Sequence, residues 1–470
     1  MKKLISIFLI LILLISASYF YAASAEGDFV IEDGVLISYN GSASAVTIPD
    51  GVYYIGNNAF ENNKSVKSVN LKNKVEFIGD KAFYNCTSLS YLEGAASVSS
   101  VGAFVFSETP YINSASGDFV TLNGILLKYK GASQNVTIPD NIAVIAPYAF
   151  YDNTKITTIC INENTFSIGE GAFYGCTSLN SVTIPSTVRE IGAYAFYNTP
   201  WLNSNSGQLI VGDGILLSYM GNEENVKINS TVKRIAPYAF YENKNLKTVY
   251  FSPNTYIIGL RSFMGCENLT SISVSDKVQF IDEEAFAKCT SLKKINIPKN
   301  VEHIGKGTFA GCISLTRADI GGKLKKLDYG AFAGCTSLVT VYIRDNINEI
   351  GNNVFWGCDS LKKIRMPENV EVIGSGVFGN VPPALTVHSA SSSSQLKDLC
   401  SSANISFSGE YGDVDNSGSL DIKDATLIQM YLAHLYTFSD EAIEKSDANY
   451  NMEVDVDDAT FIQLILANLN

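Results

Sequence analysis

The amino-acid sequence predicts an α/β solenoid of stacked repeats, followed by a small all-α module. Two observations lead to this prediction. A Phe recurs with a fixed 23-residue period through most of the chain, as at Phe60, Phe83 and Phe106, and two acidic segments near the C-terminus are each followed by nearly the same apolar sequence. A chain of 470 residues is too long for one ordinary core. With 46% hydrophobic and 17% charged residues, its composition is that of a folded protein.

Residues 1–25 have the features of a signal peptide. Two lysines open an apolar run over residues 4–15, and Ala23-Ser24-Ala25 is a small-x-small cleavage signal. A membrane anchor is the alternative, but the run is shorter than the roughly 20 apolar residues that a spanning helix needs. We therefore expect a secreted, extracellular protein with no membrane span after signal cleavage.

Most of the negative charge lies at the C-terminus. The formal net charge is −13, and residues 411–470 carry twelve Asp and Glu against two Lys. The low isoelectric point therefore reflects this segment, while the rest of the chain is close to neutral. Because the sequence contains no basic stripe, we expect no nucleic-acid partner.

The recurring Phe keeps a strict period. Its spacing is constant except between Phe106 and Phe150 and between Phe196 and Phe240, where the repeat carries an insertion. A longer, 90-residue period relates the Gly-Val/Ile-Leu triplets that begin at Gly34, Gly124 and Gly214. Each unit is too small to bury its own apolar face, so the units must stack into a solenoid. The Phe positions are 60, 83, 106, 150, 173, 196, 240, 263, 286, 309, 332, 355 and 378.

The unit over residues 292–312 shows how each repeat is built. Its Leu-x-x-Ile-x-Ile start predicts a strand, which Pro298 ends because Pro cannot donate to a ladder. Val301 and Ile304 form a second short apolar stretch. Phe309 then fills the interior from a short helical or turn segment, and Cys312 closes the unit.

The recurring I-G-x-x-A-F-x-x-C-x-x-L pattern resembles the BspA-type leucine-rich repeat of bacterial surface proteins. The resemblance covers about residues 28–407 and implies an α/β leucine-rich repeat solenoid with a C-terminal cap over residues 26–408. The cap is expected as a strand at 385–388, a helix through 396–400 and a strand at 405–407. The inserts, such as residues 124–131 and 214–221, resemble the hairpin insertions of that family.

Seven of the nine Cys occupy one position of the repeat: Cys86, Cys176, Cys266, Cys289, Cys312, Cys335 and Cys358. We expect a ladder of buried free thiols, which is a common role of Cys. Disulfides, usual in secreted proteins, and a metal site are the alternatives. A tetrahedral metal site needs converging ligands, and a straight ladder does not converge. Cys160 and Cys400 fall outside this position and have no predicted role.

The sequence does not predict an enzyme. Only His303, His388 and His434 are present, and none lies in a recognisable catalytic motif. The repeat face is the better candidate for binding, because strand positions 3 and 5 point away from the core. A solvated face is the alternative. The predicted outward pairs are Ser68 and Asn70, Tyr91 and Glu93, Ser181 and Thr183, Thr248 and Tyr250, Lys294 and Asn296, Arg317 and Asp319, Thr340 and Tyr342, and Lys363 and Arg365.

The two acidic segments have the ligand spacing of calcium loops. The first covers residues 413–424 and the second covers residues 447–458. Each places oxygen-bearing side chains at loop positions 1, 3, 5, 9 and 12. Similar helices are expected after each loop, from the sequences DATLIQMYLA and DATFIQLILA.

Residues 411–470 resemble a type I dockerin, a small all-α calcium-binding module that docks onto cohesins of a scaffoldin, and we assign residues 409–470 to this module. Both loops end in Asp, whereas an EF-hand has a leading helix and a Glu at position 12. The resemblance implies two calcium ions. Their ligands would be Asp413, Asp415, Ser417, Asp421 and Asp424 in loop one, Asp447, Asn449, Asn451, Asp455 and Asp458 in loop two, and the carbonyls of Ser419 and Glu453.

Two residues depart from the dockerin pattern. Ser417 is a weaker ligand than the usual Asp or Asn, and Met452 replaces the Gly of loop position 6. A left-handed conformation there costs a residue other than Gly roughly 1–2 kcal/mol. Loop two also has three carboxylates against four in loop one, so we expect it to bind calcium more weakly. We also expect that calcium binding supplies folding energy to the module.

The resemblance also implies which residues meet a cohesin partner. Lys423 against Asp457 breaks the symmetry of the duplication, so we expect one docking orientation to be preferred. The residues are Ile422, Lys423, Gln429, Met430 and His434, with Val456, Asp457, Gln463, Leu464 and Asn468 in the duplicate.

These features predict a non-catalytic, secreted component of a cellulosome-type, polysaccharide-degrading complex. Its repeats would bind an unknown protein or glycan, and the dockerin-like module would attach it. The alternative is a surface adhesin whose repeats bind host or neighbouring-cell ligands. A catalytic member of such a complex is the least favoured class.

Overall fold

The computed structural model describes residues 24–344, 346–367, 370–389, 394–408, 412–415, 417, 420–446, 448 and 454–467. The predicted signal segment up to residue 23 lies outside these residues. So do the predicted site residues Ser419, Asp447, Asn449, Asn451, Glu453 and Asn468, and also Met452. The chain divides into two units, Met1–Asn203 and Ser204–Asn470.

The first unit is built from short strands and two one-turn helices. Its sheets have the strand orders β1-β2-β3-β5-β7-β9, β4-β6-β8, β10-β11-β13-β15-β17 and β12-β14-β16, where the elements are β1 (Ser24–Glu26), β2 (Phe29–Glu32), β3 (Val35–Tyr39), β4 (Ala45–Thr47), β5 (Tyr54–Ile55), β6 (Ser68–Asn70), β7 (Phe77–Ile78), β8 (Tyr91–Glu93), β9 (Ser100–Val101), α1 (Pro110–Asn113), β10 (Phe119–Leu122), β11 (Ile125–Tyr129), β12 (Asn135–Thr137), β13 (Val144–Ile145), β14 (Thr158–Cys160), β15 (Ser167–Ile168), β16 (Ser181–Thr183), β17 (Glu190–Ile191) and α2 (Pro200–Asn203).

The second unit continues the same architecture and ends in helices. Its elements are β18 (Gln208–Val211), β19 (Ile215–Tyr219), β20 (Asn225–Lys227), β21 (Arg234–Ile235), β22 (Thr248–Tyr250), β23 (Ile257–Ile258), β24 (Ser271–Ser273), β25 (Phe280–Ile281), β26 (Lys294–Asn296), β27 (His303–Ile304), β28 (Arg317–Ile320), β29 (Lys326–Leu327), β30 (Thr340–Ile343), β31 (Glu349–Ile350), β32 (Lys363–Arg365), β33 (Val372–Ile373), β34 (Thr386–His388), α3 (Ser394–Ser402), β35 (Ser406–Ser408), α4 (Ile422–Leu432), α5 (Asp440–Ser446) and α6 (Val456–Leu466). The sheet orders are β18-β19-β21-β23-β25-β27, β20-β22-β24, β26-β28-β30-β32-β34-β35 and β29-β31-β33.

Each repeat contributes two strands, as the sequence predicts. The first, usually of three residues, pairs in parallel with its equivalent one repeat later, for example Ser68 with Tyr91. The second, of two residues, does the same, for example Phe77 with Ser100. Each strand residue pairs with the residue at the same position of the next repeat. Side chains at one repeat position therefore stack along the solenoid. The fold is therefore a leucine-rich repeat solenoid through most of the chain.

The 90-residue period is explained by three hairpins. β2 pairs antiparallel with β3, β10 with β11, and β18 with β19. The first two hairpins turn at Asp33-Gly34 and Asn123-Gly124, where all four residues have positive φ. Such left-handed pairs match the twist of a two-residue hairpin. The predicted hairpin insertions are confirmed.

The core contains columns of stacked Phe rings. All thirteen repeat Phe side chains are buried. Ring centroids are 4.7 Å apart for Phe150 and Phe173 and 5.6 Å apart for Phe286 and Phe309. A Tyr of each hairpin begins each column, which the Phe period alone does not reveal. The rings of Tyr39, Tyr129 and Tyr219 lie 5.0, 5.0 and 4.9 Å from the next Phe.

The Cys ladder is present as predicted. The seven repeat Cys are buried and free. Each thiol donates a hydrogen bond to the carbonyl of a Phe in the preceding repeat, at 3.0 Å for Cys86 and 3.3 Å for Cys312. Burial raises the pKa of Cys86 to about 11 and that of Cys312 to about 12. These thiols therefore fill the core and provide hydrogen-bond donors to buried backbone carbonyls.

After the last repeats, the chain forms the predicted strand, helix and strand as β34, α3 and β35. The helices α4 and α6 then pack on each other. Across the part of the chain that the structure describes, no helix combines the length and apolarity needed to cross a membrane.

Candidate functional site

The first acidic loop brings three carboxylates together. One oxygen from each of Asp413, Asp415 and Asp424 lies within 4.8 Å of the others. Ligands on one calcium ion at 2.3–2.6 Å cannot be more than about 5 Å apart, so this cluster meets the distance requirement. Hard oxygen donors of this kind suit calcium or magnesium.

Asp424 holds the two ends of this loop together through backbone hydrogen bonds. Its side chain is fully buried. One carboxylate oxygen accepts from the backbone N–H of Val414 at 2.9 Å, and the other accepts from Asp421 at 2.8 Å. Asp421 in turn caps helix α4 by accepting from the N–H of Lys423 at 2.6 Å. This capping box fixes the loop to the helix that follows it.

Ser417 organises the other two carboxylates. Its backbone N–H donates to Asp413 and to Asp415, at 2.9 Å each. Hydrogen bonds from Ser417 are the main cause that lowers the pKa of Asp415. Burial raises the pKa of Asp424, although backbone donors partly offset it. The charged form of Asp424 is therefore costly without a cation.

The second loop ends in the same way. The N–H of Asp455 donates to Asp458 at 2.8 Å, and the N–H of Asp457 donates to Asp455 at 2.8 Å. Asp458 is fully buried, like Asp424. The first half of this loop lies outside the described residues. The shared ending shows that the duplication in the sequence is a duplication in structure.

The core between the two halves is also duplicated. Ten of its buried and half-buried members form five pairs at equivalent positions, 34 residues apart in the sequence. Both halves of the module therefore contribute equivalent residues to one shared core. The pairs are Val414 and Ala448, Leu420 and Val454, Ala425 and Ala459, Leu427 and Phe461, and Ile428 and Ile462.

The residues predicted to meet a partner lie on the outside of this core. Met430 is half-buried, Asn468 is not described, and the others are exposed: Ile422, Lys423, Gln429, His434, Val456, Asp457, Gln463 and Leu464. Ile422 and Val456 expose 56% and 61% of their surface, which is unusual for β-branched apolar residues. The module thus presents two equivalent apolar corners, one at the start of each long helix.

Helix α6 also contacts the repeats. Phe461 packs edge-on against Tyr342 of β30, with ring centroids 5.7 Å apart. The guanidinium groups of Arg344 and Arg365 lie 5.7 and 5.1 Å from the same Tyr ring. This part of the sheet face is therefore covered within the chain.

The structure corrects three members of the predicted binding face. Thr340, Tyr342 and Arg365 were expected to point into solvent, but all three are buried. The alternation along a strand predicts which face of the sheet a side chain lies on. It does not predict whether another element packs on that face, so this contact was not predicted. The other predicted outward residues are exposed or half-buried: Ser68, Asn70, Tyr91, Glu93, Ser181, Thr183, Thr248, Tyr250, Lys294, Asn296, Arg317, Asp319 and Lys363.

The repeats match a known family over most of their length. The family model for the BspA type leucine-rich repeat region matches in six copies, over residues 36–118, 128–208, 216–338 and 281–406, well over half of the chain. The chain belongs to the BspA-type leucine-rich repeat family. The matched ranges of this BspA-type chain end at residue 406, before the acidic module.

Three solved structures of leucine-rich repeat proteins are similar to this BspA-type chain. A leucine-rich cell surface protein of Faecalibacterium prausnitzii A2-165 is 28% identical, with 71% of this chain and 96% of that chain covered and a TM-score of 0.32. The pneumococcal vaccine antigen PcpA is 18% identical, with 82% and 95% covered and a TM-score of 0.35. A leucine-rich repeat protein of Bacteroides ovatus is 22% identical, with 79% and 99% covered and a TM-score of 0.30. No curated protein matched the chain.

Proposed function

We propose that this chain is a secreted, non-catalytic binding protein with two working parts. Its repeats bind a protein or glycan ligand. Its C-terminal module is a calcium-organised, dockerin-like unit that attaches the chain to a cohesin of a cellulosome-type scaffold. The clustering of Asp413, Asp415 and Asp424 beside a capped helix is the observation that carries this proposal.

The chemistry of the loop supports calcium. Asp413 and Asp424 are buried, and their negative charges lie close together. A bound divalent cation would offset both the burial and the repulsion. Asp421 and Ser417 orient the cluster of Asp413, Asp415 and Asp424 through the loop backbone, so the five residues act together. We infer that calcium closes loop one, and that loop two is closed by Asp455 and Asp458 in the same manner.

The surface of the module supports a docking role. The two exposed apolar corners at Ile422 and Val456 have the character of interface anchors. Lys423 beside one corner and Asp457 beside the other give them opposite charge, so a partner can distinguish the two orientations. The remaining exposed repeat faces are open to the ligand of the solenoid.

The proposal is tested by a pull-down of the full chain on an immobilised type I cohesin. We expect retention in calcium and loss of retention in a chelator. The double variant Asp413→Ala/Asp447→Ala should lose retention, because each loop then lacks its first ligand. Asp359→Ala, which removes an exposed carboxylate outside the loops, should be retained like the parent chain.

Retention that survives chelation would contradict the calcium dependence. If no type I cohesin retains the chain while it still binds intact cells, the docking role is wrong and the adhesin alternative is favoured.

A further inference from the structure

The first unit carries a continuous, partly exposed aromatic surface that the proposed function does not use. We call it the turn-edge aromatic surface. Its members lie on the turns that flank the buried Phe column, either one residue after or two residues before a column Phe. They are Phe104, Tyr148, Tyr151, Tyr174, Tyr194 and Tyr197. This surface is separate from the strand faces.

The six rings contact one another across the repeats. Phe104 stacks on Tyr148 with centroids 4.4 Å apart, and Tyr148 meets Tyr151 edge-on at 5.6 Å. Tyr151 stacks on Tyr174 at 5.6 Å. Tyr174 stacks on Tyr197 at 5.3 Å, and Tyr197 meets Tyr194 edge-on at 5.7 Å. The rings are therefore held in a fixed array before any ligand binds.

This array remains open to solvent. Tyr151 and Tyr197 expose 46% and 51% of their surface, and Tyr194 exposes 36%. Contiguous exposed aromatic surface of this kind marks interaction sites. Tyr in particular offers a large, rigid contact area with little entropy to lose on binding, which is why it is common in protein-binding surfaces.

Phe104, Tyr148 and Tyr194 hold one turn position of the repeat, two residues before the column Phe. Their φ values are 55°, 60° and 56°. Positive φ also occurs at this position for Lys81 and Glu284, so the backbone conformation belongs to the turn itself.

Gly171 occupies the equivalent position in the intervening repeat. A Cβ on Gly171 would collide with the ring of Tyr148. The small residue thus leaves room for the aromatic array to continue from one repeat to the next.

Carboxylates border the aromatic surface. Glu170 accepts a hydrogen bond from the Tyr148 hydroxyl at 2.7 Å. Asp152 is the main cause that raises the pKa of Tyr151, and Asp80 contributes to raising the pKa of Tyr148 after burial and Glu170. Electron-rich rings beside exposed carboxylates attract cations.

We propose that the turn-edge aromatic surface binds a basic segment of a partner protein, with Arg or Lys side chains placed against the tyrosine rings and paired with Asp152 and Glu170. Arg fits best, because its planar guanidinium both stacks on rings and pairs with carboxylates. The array runs along the three successive repeats of Phe150, Phe173 and Phe196, and Phe104 adds one further ring. An extended peptide segment can therefore contact several rings at once.

The test uses the full chain with calcium present and a deca-arginine peptide as the probe. The triple variant Tyr151→Ala/Tyr174→Ala/Tyr197→Ala should bind the peptide about tenfold more weakly. A matched control removes three exposed tyrosines elsewhere, in Tyr91→Ala/Tyr250→Ala/Tyr329→Ala, and should leave the affinity within about twofold. The acidic C-terminal module is identical in all variants, so it contributes the same background binding to each.

A second variant tests the charges of the surface without removing any ring from it. Asp152→Asn/Glu170→Gln leaves every ring in place and should also weaken binding, with a shallower salt dependence. Equal affinity of the parent chain and both surface variants would overturn the proposal. So would tyrosine-dependent binding of a neutral oligosaccharide such as cellohexaose without tyrosine-dependent binding of deca-arginine, because the surface would then be a glycan site.

Discussion

At the scale of single residues, burial decides which side chains can react. The ladder Cys are shielded by the repeats above and below, and each thiol is held by a backbone carbonyl. Cys160 differs, because it lies on strand β14 and is only half-buried. The same residue type is therefore fully buried in the ladder and partly exposed at Cys160.

We predict that iodoacetamide at pH 7 modifies Cys160 in the native protein and spares the ladder. Alkylation requires the thiolate, and a pKa raised to about 11 at Cys86 leaves on the order of one thiol in ten thousand ionised at that pH. Mass spectrometry of tryptic peptides measures the labelling. Denatured protein, in which all nine Cys should react, is the control. Labelling of Cys266 as fast as Cys160 would contradict the ladder.

At the scale of elements, the repeat period predicted most of the fold. A Phe and a Cys at fixed positions can stack only if the strands are parallel and in register, and they are. The hairpin Tyr residues and the Phe461–Tyr342 contact were not predicted, because neither follows the 23-residue Phe period. The first depends on the insertions, and the second joins residues far apart in the sequence through the way two elements pack.

The candidate site was predictable in part for the same reason. Loop spacing placed Asp413, Asp415 and Asp424 in one cluster, since a twelve-residue loop returns on itself. Nothing in that spacing shows that Phe461 of α6 packs on Tyr342. The turn-edge aromatic surface was missed because its members belong to two different repeat positions, which a single column of the repeat does not join.

We predict that Phe309→Ala destabilises the second unit by about 3–5 kcal/mol, because it opens a cavity in the middle of a stacked column. Phe378→Ala is the matched control and should cost less. Phe378 ends the column, 6.4 Å from Phe355, and is slightly exposed. Urea unfolding in a Trp201→Phe background, with Trp356 as the only Trp, reports on this unit. If both variants lose the same free energy of unfolding, the position of a Phe within the stacked column does not determine its contribution to stability.

At the scale of the molecule, the C-terminal module packs on part of the predicted binding face of the second unit. The module is strongly acidic, and the neighbouring sheet positions include Lys294, Arg317, Lys363 and Arg365. Opposite charge and one aromatic contact favour this arrangement. The proposed attachment module therefore lies beside the proposed ligand-binding face in this unit, so we infer that binding at one can influence the other.

We predict a specific coupling between Phe461 and Tyr342. A double-mutant cycle with Phe461→Ala and Tyr342→Ala should give a coupling of about 0.5–1.5 kcal/mol in urea unfolding. Leu427→Ala changes the equivalent residue in the other half of the module, and it should show coupling near zero with Tyr342→Ala. Equal coupling for both pairs would mean that α6 does not dock on the sheet.

Calcium binding by the two acidic loops is measured by calorimetric titration of calcium into the calcium-free full chain. We predict two sites, with loop one tighter because it has more carboxylates and because loop two has Met452 in place of Gly. Asp413→Ala should remove the tighter site, and Asp455→Ala should remove the weaker one. A titration without binding heat, or one in which Asp455→Ala removes the tighter site, would contradict the account.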